Sequence, residues 1–294
     1  MKYRITHTTT YSYTESVPIC HNQVYLTPRD LPYQTCRLHR LVIKPSPANI
    51  GKRWDYFGNQ LNYFSLHEAH HRLTITAHSK VMIRPRAIRN SADSPPWEQV
   101  AQSLRHDTTP AGLDAYQFVF DSPHVATSPD LATYTRISFQ PNRPLLEAAM
   151  DLNKRIHADF RYDTAATTVN TPLGEVFRMR RGVCQDLAHV QIGCLRSIGL
   201  GARYVSGYLR TTPPQGRPRL IGADASHAWI GIYCGPLGWI DVDPTNNSIP
   251  SADHVTLAWG RDYGDVSPIK GLYIGGGNHT MTVSVDVAPV ESAA

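Results

Sequence analysis

The spacing of hydrophobic residues changes at Pro144, and this change most constrains the fold. After Pro144, hydrophobic residues recur every three or four positions, as on one face of a helix. The helices predicted from this spacing begin near Pro144, Thr171 and Cys184. Gly199 is placed to end the third helix in a left-handed conformation. Three β-type runs follow, at residues 202–209, 227–234 and 238–243. Helices followed by an antiparallel sheet predict an α+β domain.

The first 86 residues have the pattern of an all-β domain. Short runs of β-forming residues alternate there with turn sequences such as Pro45-Ser46-Pro47. The clearest of these runs are Lys2–Tyr13, Thr35–Lys44 and Leu73–Ile83. We therefore expect a β-sandwich domain over residues 1–86.

Proline breakers and chain length set the remaining boundaries. Residues 87–143 contain repeated Ser-Pro and Pro-Pro sequences, which predict a connecting segment with short helices. Residues 144–294 then form the α+β domain, and the part beyond about residue 250 is expected to return and pack on it. Two domains are the usual expectation for a chain of 294 residues.

Charge and hydropathy exclude several classes of protein. The net charge is +5, but the basic residues form no continuous stripe of the kind that binds nucleic acid. The first 13 residues are polar and rich in threonine, unlike a secretory signal. Because no run of about 18 apolar residues occurs, we expect no membrane partner and a cytoplasmic location.

The five cysteines are irregularly spaced and include no C-x-x-C pair, so neither a disulfide framework nor a metal site is predicted. Cys184 stands at the start of the third predicted helix, where unpaired N–H groups and the helix dipole stabilise a thiolate. Cys194 lies on the hydrophobic face of the same helix and is expected to be core. Cys184 is therefore the candidate nucleophile.

A nucleophilic cysteine needs a histidine base whose second ring nitrogen is held by a carboxylate or amide. His227 opens one predicted strand, and the next strand ends at Asp243. In a hairpin centred on Gly235 these two residues are directly opposite, with Cβ atoms roughly 5 Å apart. Asp241 lies on the same face, one pair nearer the loop, and is the weaker candidate.

Four segments resemble the transglutaminase-like superfamily: Arg181–Asp186, Ala202–Tyr208, His227–Trp229 and Trp239–Thr245. The resemblance implies a papain-like catalytic domain with Cys184, His227 and Asp243 as its triad. The β-rich start and the segments 260–263 and 275–277 resemble bacterial members with an N-terminal β-domain, usually described as cysteine proteases. Val183 and Gln185 flank Cys184 where eukaryotic cross-linking enzymes have Gln and Trp, so cross-linking is not the first expectation.

Other residues near these segments are candidates for supporting roles. Acyl transfer needs donors for the developing oxyanion, and the backbone N–H of Cys184 is one by position. Tyr162 and Gln185 are the alternatives for the second donor. Trp229 and Trp239 are expected in the core, with a wall of the substrate cleft as the other reading.

These features predict a cysteine hydrolase, a protease or amidase acting through a thioester on a peptide, isopeptide or side-chain amide. Two alternatives stay open: an acyltransferase that passes the acyl group to an amine, and a peptide-binding or scaffold protein without turnover. The absence of a G-x-S-x-G elbow, an H-E-x-x-H motif and a glycine-rich phosphate loop leaves serine, metal and nucleotide chemistry unsupported. No cofactor is expected, the expected partner is a peptide or protein substrate, and the oligomeric state cannot be read from the sequence.

Overall fold

The computed structural model of the protein describes residues 1–86, 90–211 and 225–290. The strands are β1 (Lys2–Val17), β2 (Ile19–Val24), β3 (Gln34–Lys44), β4 (Ile50–Trp54), β5 (Gln60–Leu66), β6 (His70–Ile83), β7 (Arg161–Tyr162), β8 (Arg181–Gly182), β9 (Ala202–Leu209), β10 (Ala225–Tyr233), β11 (Trp239–Val242), β12 (His254–Gly260), β13 (Ile269–Ile274) and β14 (His279–Pro289). The helices are α1 (Trp97–His106), α2 (Pro110–Tyr116), α3 (Pro129–Arg136), α4 (Leu145–Asp159), α5 (Leu173–Met179), α6 (Cys184–Ser197) and α7 (Tyr263–Val266). Among the described residues, no helix combines the length and the apolar character needed to cross a bilayer.

The predicted β-sandwich is present at the N-terminus. One sheet has the strand order β14-β1-β6-β3, and the facing sheet has the order β13-β2-β5-β4. The alternation along β1 explains the inner face, because Tyr3 and Ile5 are buried while Lys2 and Arg4 are exposed. The three predicted runs correspond to β1, β3 and β6. The boundary predicted between residues 86 and 87 adjoins residues 87–89, which lie outside the described residues.

The last two strands belong to the sandwich, so the predicted division of the chain is wrong there. β14 pairs with β1 along its whole length, from Tyr3 opposite Pro289 to Tyr13 opposite His279. β13 pairs with β2 in the other sheet. Of the three strands described after residue 250, β12 joins the sheet of the α+β domain. Alternating hydrophobicity marks a strand but does not identify its partner, so the sequence pattern could not distinguish the two sheets.

The α+β domain consists of helices packed on one antiparallel sheet with the order β11-β10-β9-β12. Helix α6 is its centre: it packs against β9 and β10, and its residues from Gln185 to Arg196 are buried. The segment before residue 144 contains short helices, as predicted, and α3 packs directly on α6. Gly199 ends α6 with a φ of 84°. This order of helices followed by strands confirms the α+β fold class.

Side-chain amides from the sandwich cover the free edge of β12. Gln34 donates through Nε2 to the carbonyl of Thr256 at 2.7 Å and accepts the Thr256 N–H through Oε1 at 2.9 Å. Asn59 makes the same two kinds of bond with the backbone of Trp259, at 2.8 and 2.9 Å. An edge strand otherwise leaves a row of backbone groups unpaired. These amides therefore complete the sheet and hold the two domains together.

The placement of β14 predicts a difference between two valines on the same strand. Val287 is fully buried in the sandwich, whereas Val283 is 50% exposed. Val287→Ala should lower the free energy of unfolding by about 2 kcal/mol, because two methyl groups leave a packed core. Val283→Ala should lower it by less than about 0.5 kcal/mol. Urea denaturation of both variants measures the difference, and equal losses would contradict the assignment of β14 to this core.

Candidate active site

Cys184 is held at the first turn of α6. The N–H of Val183 donates to Oδ2 of Asp186 at 2.8 Å, and the hydroxyl of Thr167 donates to the same oxygen at 2.6 Å. The Asp186 carboxylate therefore caps the helix start. Gly182 leaves room for it, since a Cβ added at Gly182 would lie 2.5 Å from that oxygen. As a result the half-buried thiol of Cys184 stands at the helix N-terminus, where the helix dipole favours negative charge.

His227 lies on β10 and connects Cys184 to Asp243. Its Nε2 donates to Oδ2 of Asp243 at 2.7 Å, and its side chain lines the same cleft as Cys184, close enough for the thiol to affect the pKa of the ring. Because Nε2 is used by the carboxylate, Nδ1 is the ring nitrogen that remains for sulfur. Burial disfavours the charged imidazolium, but the hydrogen bonds and charges of Asp243 and Cys184 outweigh it and raise the pKa of His227 to about 10. At neutral pH the ring is therefore protonated.

Asp243 is completely buried and accepts hydrogen bonds on both oxygens. Besides His227, its Oδ2 accepts from Nε2 of His254 at 3.1 Å and from Nδ2 of Asn246 at 2.7 Å. Its Oδ1 accepts from the N–H groups of Thr245 at 2.9 Å and of Asn246 at 3.2 Å. Burial acts to raise the pKa of Asp243, but these donors lower it well below its usual range. The carboxylate thus orients the histidine and also shapes the turn after β11.

In the β10–β11 hairpin, each residue of β10 lies opposite a residue two positions later in the chain than predicted. The observed pairs run from Ile230 opposite Val242 to Tyr233 opposite Trp239, which centres the hairpin on residue 236. The short 3₁₀ turn at Gly235–Leu237 sets this centre. Asp243 consequently stands past the end of the ladder and reaches His227 diagonally. Asp241, the weaker candidate, accepts a hydrogen bond from Arg86 at 2.9 Å.

Neither tryptophan candidate is among the described residues that line the cleft: Trp229 is buried in the core, whereas Trp239 is half-buried. Trp229 is fully buried, and its ring lies 6.0 Å from that of His227 and 5.2 Å from that of His254. A Cβ added at Gly207 would lie 2.3 Å from the indole, so the glycine on the neighbouring strand makes space for the ring. Trp239 packs at the far end of the hairpin against Phe118, at a ring distance of 5.3 Å.

The two candidates for a second oxyanion donor, Gln185 and Tyr162, differ in their hydrogen-bond partners and in their surroundings. Gln185 already donates through Nε2 to the carbonyl of Val169 at 3.3 Å. Tyr162 on β7 pairs with Gly182 on β8, and Gly182 precedes Cys184 by two residues. Burial and the proximity of Cys184 raise the pKa of its phenol, so Tyr162 is a hydroxyl donor at neutral pH. Gln185 lines the cleft, whereas Tyr162 is 53% exposed and is not among the described lining residues.

A cleft of about 450 Å³ opens over Cys184 and His227. The described residues that line it come from both domains, including Tyr204 and Ser206 of β9 and several side chains of β1 and β14. One wall of the site is thus supplied by the sandwich. The other cysteines differ from Cys184: Cys194 is buried in the core as predicted, and burial raises the pKa of Cys36 to about 11.

Comparison with known proteins places the chain in a family. The model of the bacterial transglutaminase-like N-terminal region matches residues 3–82, and the model of the transglutaminase-like superfamily matches residues 132–244. An uncharacterized protein of Mycobacterium tuberculosis is 40% identical over 304 residues, which cover 100% of this chain and 94% of that protein. An uncharacterized protein of Mycobacterium leprae is 31% identical, covering 97% of each. The chain belongs to the transglutaminase-like superfamily.

A solved structure supports the fold of this transglutaminase-like chain. The crystal structure of "a Putative Cysteine Protease from Cytophaga hutchinsonii" matches with a TM-score of 0.78 and 20% identity, covering 100% of this chain and 92% of that one. At this identity the likeness confirms the papain-like fold with its β-rich N-terminal region. A shorter segment is similar to a protein-glutamine gamma-glutamyltransferase of Pseudomonas aeruginosa, 34% identical over 76 residues, or 26% of this chain and 11% of that protein.

Sequence reasoning missed His254 and Asn246, which both donate hydrogen bonds to the carboxylate of Asp243. His254 begins β12 and reaches Asp243 because β12 and β10 flank β9 in the same sheet. The order of strands in the sheet brings together residues that are distant in sequence, and no local sequence pattern predicts that order. Asn246 follows the D-P-T segment by one residue, so its position in the turn was a signal that could have identified it.

One group of side chains has donor atoms close enough to ligate a metal. Ring nitrogens of His227 and His254 and a carboxylate oxygen of Asp243 all lie within 4.8 Å of one another. A metal there would need neutral imidazoles, whereas the carboxylate favours the protonated form of His227. The hydrogen bonds present use the same atoms, so this group fits proton handling better than metal binding.

The raised pKa of His227 depends on Asp243, and Asp243→Asn tests it. Without the carboxylate charge, burial is opposed only by the smaller contribution of Cys184, so the pKa of His227 should fall from about 10 toward its ordinary 6.5. NMR titration of the histidine Cε1–H signals measures this. His39 in the sandwich, whose pKa burial lowers to about 4, is the internal control and should not change. A wild-type His227 that titrates near 6.5 would contradict the pairing.

The same pair sets a pH window for stability. Since the pKa of His227 is higher in the folded protein than the ordinary 6.5, its contribution to stability is complete below about pH 6.5. It is lost as the pH rises through about 10. The stability difference between the wild type and Asp243→Asn should therefore shrink over that interval, as measured by urea unfolding at several pH values.

Proposed function

We propose that the protein is a cysteine hydrolase that cleaves a peptide, isopeptide or side-chain amide bond through a thioester on Cys184. In this proposal His227 transfers the proton, and Asp243 orients and charges the histidine. The observation that carries it is a thiol at a helix start that shares a cleft with a histidine, and this histidine is hydrogen-bonded through Nε2 to a buried carboxylate. That arrangement is the one nucleophilic catalysis by cysteine requires.

The reaction proceeds in two halves. With His227 protonated, the thiolate of Cys184 attacks the carbonyl carbon, and the carbonyl oxygen becomes negatively charged. When the intermediate collapses, the C–N bond breaks, His227 gives its proton to the leaving amine, and the acyl group stays on sulfur as a thioester. His227, now neutral, takes a proton from water, whose oxygen attacks the thioester. The acid leaves and the thiolate–imidazolium pair is restored.

The oxyanion of each half-reaction needs hydrogen-bond donors. The backbone N–H of Cys184 is a donor at the first position of α6, where no helical carbonyl accepts it. The phenol of Tyr162 supplies the second donor in this proposal, because it lies close enough to Cys184 for the two groups to influence each other, whereas one N–H of the Gln185 amide is bonded to Val169. The two donors would then lie on neighbouring segments, β7 and the start of α6.

The acyltransferase alternative uses the same first half-reaction and replaces water with an amine. The observation that favours it is the similarity of a 76-residue segment to the Pseudomonas aeruginosa gamma-glutamyltransferase. Product analysis with and without an added primary amine separates the two reactions, since only transfer yields a new amide.

In the third alternative, a binding protein without turnover, Cys184 would be no more reactive than the other thiols.

Replacing the nucleophile should abolish turnover and leave the fold intact. Cys184→Ala is expected to lower the rate by about 10⁴-fold or more, because no other group can form the thioester. Cys36→Ala is the matched control and should retain full activity. In wild type, iodoacetamide at pH 6 should modify Cys184 before Cys36, whose pKa is raised to about 11. Peptide mass spectrometry identifies the modified residue, and a fully active Cys184→Ala protein would end the proposal.

The role given to Tyr162 predicts an effect on the chemical step. Tyr162→Phe should lower kcat by about 10²-fold with little change in KM, because the donor acts on charge that develops in the transition state. Tyr63→Phe, an exposed tyrosine of the sandwich, serves as the control. Steady-state kinetics on the same amide substrate measure both. An unchanged kcat in Tyr162→Phe would remove this residue from the oxyanion site.

A further inference from the structure

We propose that the sandwich sheet forms the specificity wall of the Cys184 cleft and selects a substrate with an uncharged, apolar side chain beside the scissile carbonyl. This inference rests on the proposed function, and it adds the substrate class. It gives the N-terminal domain a direct part in recognition.

The wall consists of three cross-strand pairs of β1 and β14. These pairs are His7 with Val285, Thr9 with Val283, and Tyr11 with Met281. All six residues line the cleft. Alternate residues of a strand share one face, and paired residues of neighbouring strands share it too, so the six side chains form one continuous surface. This surface, which we call the β1–β14 wall, lines the same cleft as Cys184.

The β1–β14 wall carries no formal charge. Among the described residues that line the cleft there is no lysine, arginine, aspartate or glutamate. His7 is also neutral at pH 7, since burial lowers its pKa to about 4. The hydroxyl of Tyr208 lies 3.0 Å from Nδ1 of His7, and Nε2 lies 3.0 Å from the Thr9 hydroxyl. Both ring nitrogens are therefore satisfied within the protein. A charged substrate group placed here would lose hydration and gain no partner.

Two apolar side chains of the wall are open to a ligand. Met281 is 56% exposed and Val283 is 50% exposed, whereas Val285 at the inner end is buried. β14 is the edge strand of its sheet, so these side chains have no further strand beside them. Covering them with an apolar group removes hydrophobic surface from water and favours binding. The wall therefore offers a hydrophobic contact next to the nucleophile.

The size of the cleft limits what can occupy it. A volume of about 450 Å³ is within the range of small-ligand pockets, roughly 300–1,000 Å³. It accommodates a large apolar side chain with the backbone around the reacting carbonyl, but not a folded domain. The substrate should therefore present the bond on an extended segment or a flexible side chain.

Alkylation of Cys184 by matched reagents tests the wall without requiring turnover. The reagents are iodoacetamides with an N-benzyl, an N-(2-carboxyethyl) or an N-(2-aminoethyl) group. In all three, the sulfur of Cys184 displaces iodide from the CH2 carbon next to the amide. Rates at Cys184 are measured by peptide mass spectrometry and divided by the rates with a small free thiol. The benzyl reagent should react at least about tenfold faster than both charged ones. Because the two charges have opposite signs, attraction by His227 alone cannot produce this ranking.

Variants assign the ranking to the wall. Val283→Asp should lower the benzyl to aminoethyl rate ratio by about tenfold, because it places a carboxylate on the hydrophobic surface. Met281→Asp is the second variant, used if the first does not fold by circular dichroism. Leu272→Asp on β13 is the matched control, since Leu272 is 79% exposed and outside the cleft, and it should leave the ratio unchanged. Equal rates for the three reagents, or equal shifts in the cleft variant and the control, would overturn the proposal.

The outcomes distinguish this inference from the proposed function. If the reagents rank as expected but no amide is hydrolysed, the wall is supported and the hydrolase proposal fails. If Cys184 hydrolyses amides while the reagents show no ranking, the hydrolase proposal is supported and the wall is overturned.

Discussion

The carboxylate of Asp243 is the point on which the site depends. It is fully buried, and its oxygens accept hydrogen bonds from His227, His254 and Asn246 and from two backbone N–H groups. A buried anion is costly unless such donors surround it, and here they come from β10, from β12 and from the turn after β11. The hydrogen bonds that stabilise the buried anion also hold the ring of His227 in place beside the cleft that Cys184 lines. The Asp243 carboxylate therefore affects both the stability of the fold and the protonation of His227.

Local patterns predicted most elements of the α+β domain and the pairing of His227 with Asp243. Helix α6 was readable because its hydrophobic spacing begins at Cys184 and ends at Gly199. His227 and Asp243 were readable because they lie at the ends of adjacent strands and within family-like segments. The predicted hairpin register was wrong by two residues, because the turn Gly235–Leu237 determines the register. The geometry of that turn depends on backbone angles, which the sequence composition does not define.

Contacts between distant segments could not be predicted in this way. Hydrophobic alternation in β14 does not state that its partner is β1, nearly the whole chain away. For the same reason the sequence did not show that His254 meets Asp243 or that the cleft has a wall from the sandwich. Trp229 and Trp239 were ambiguous because an indole suits both a core and a ligand site. The three-dimensional structure is needed to assign each of these residues to a core or to the cleft.

The pairing of β1 with β14 has a consequence for when the protein can act. Residues near both ends of the chain, such as Thr9 and Val283, must meet before the cleft has its second wall. During synthesis the thiol at Cys184 leaves the ribosome about a hundred residues ahead of that strand. The nascent chain therefore exposes this thiol in a groove that lacks its second wall until β14 has been made. The complete cleft forms only after β14 has paired with β1.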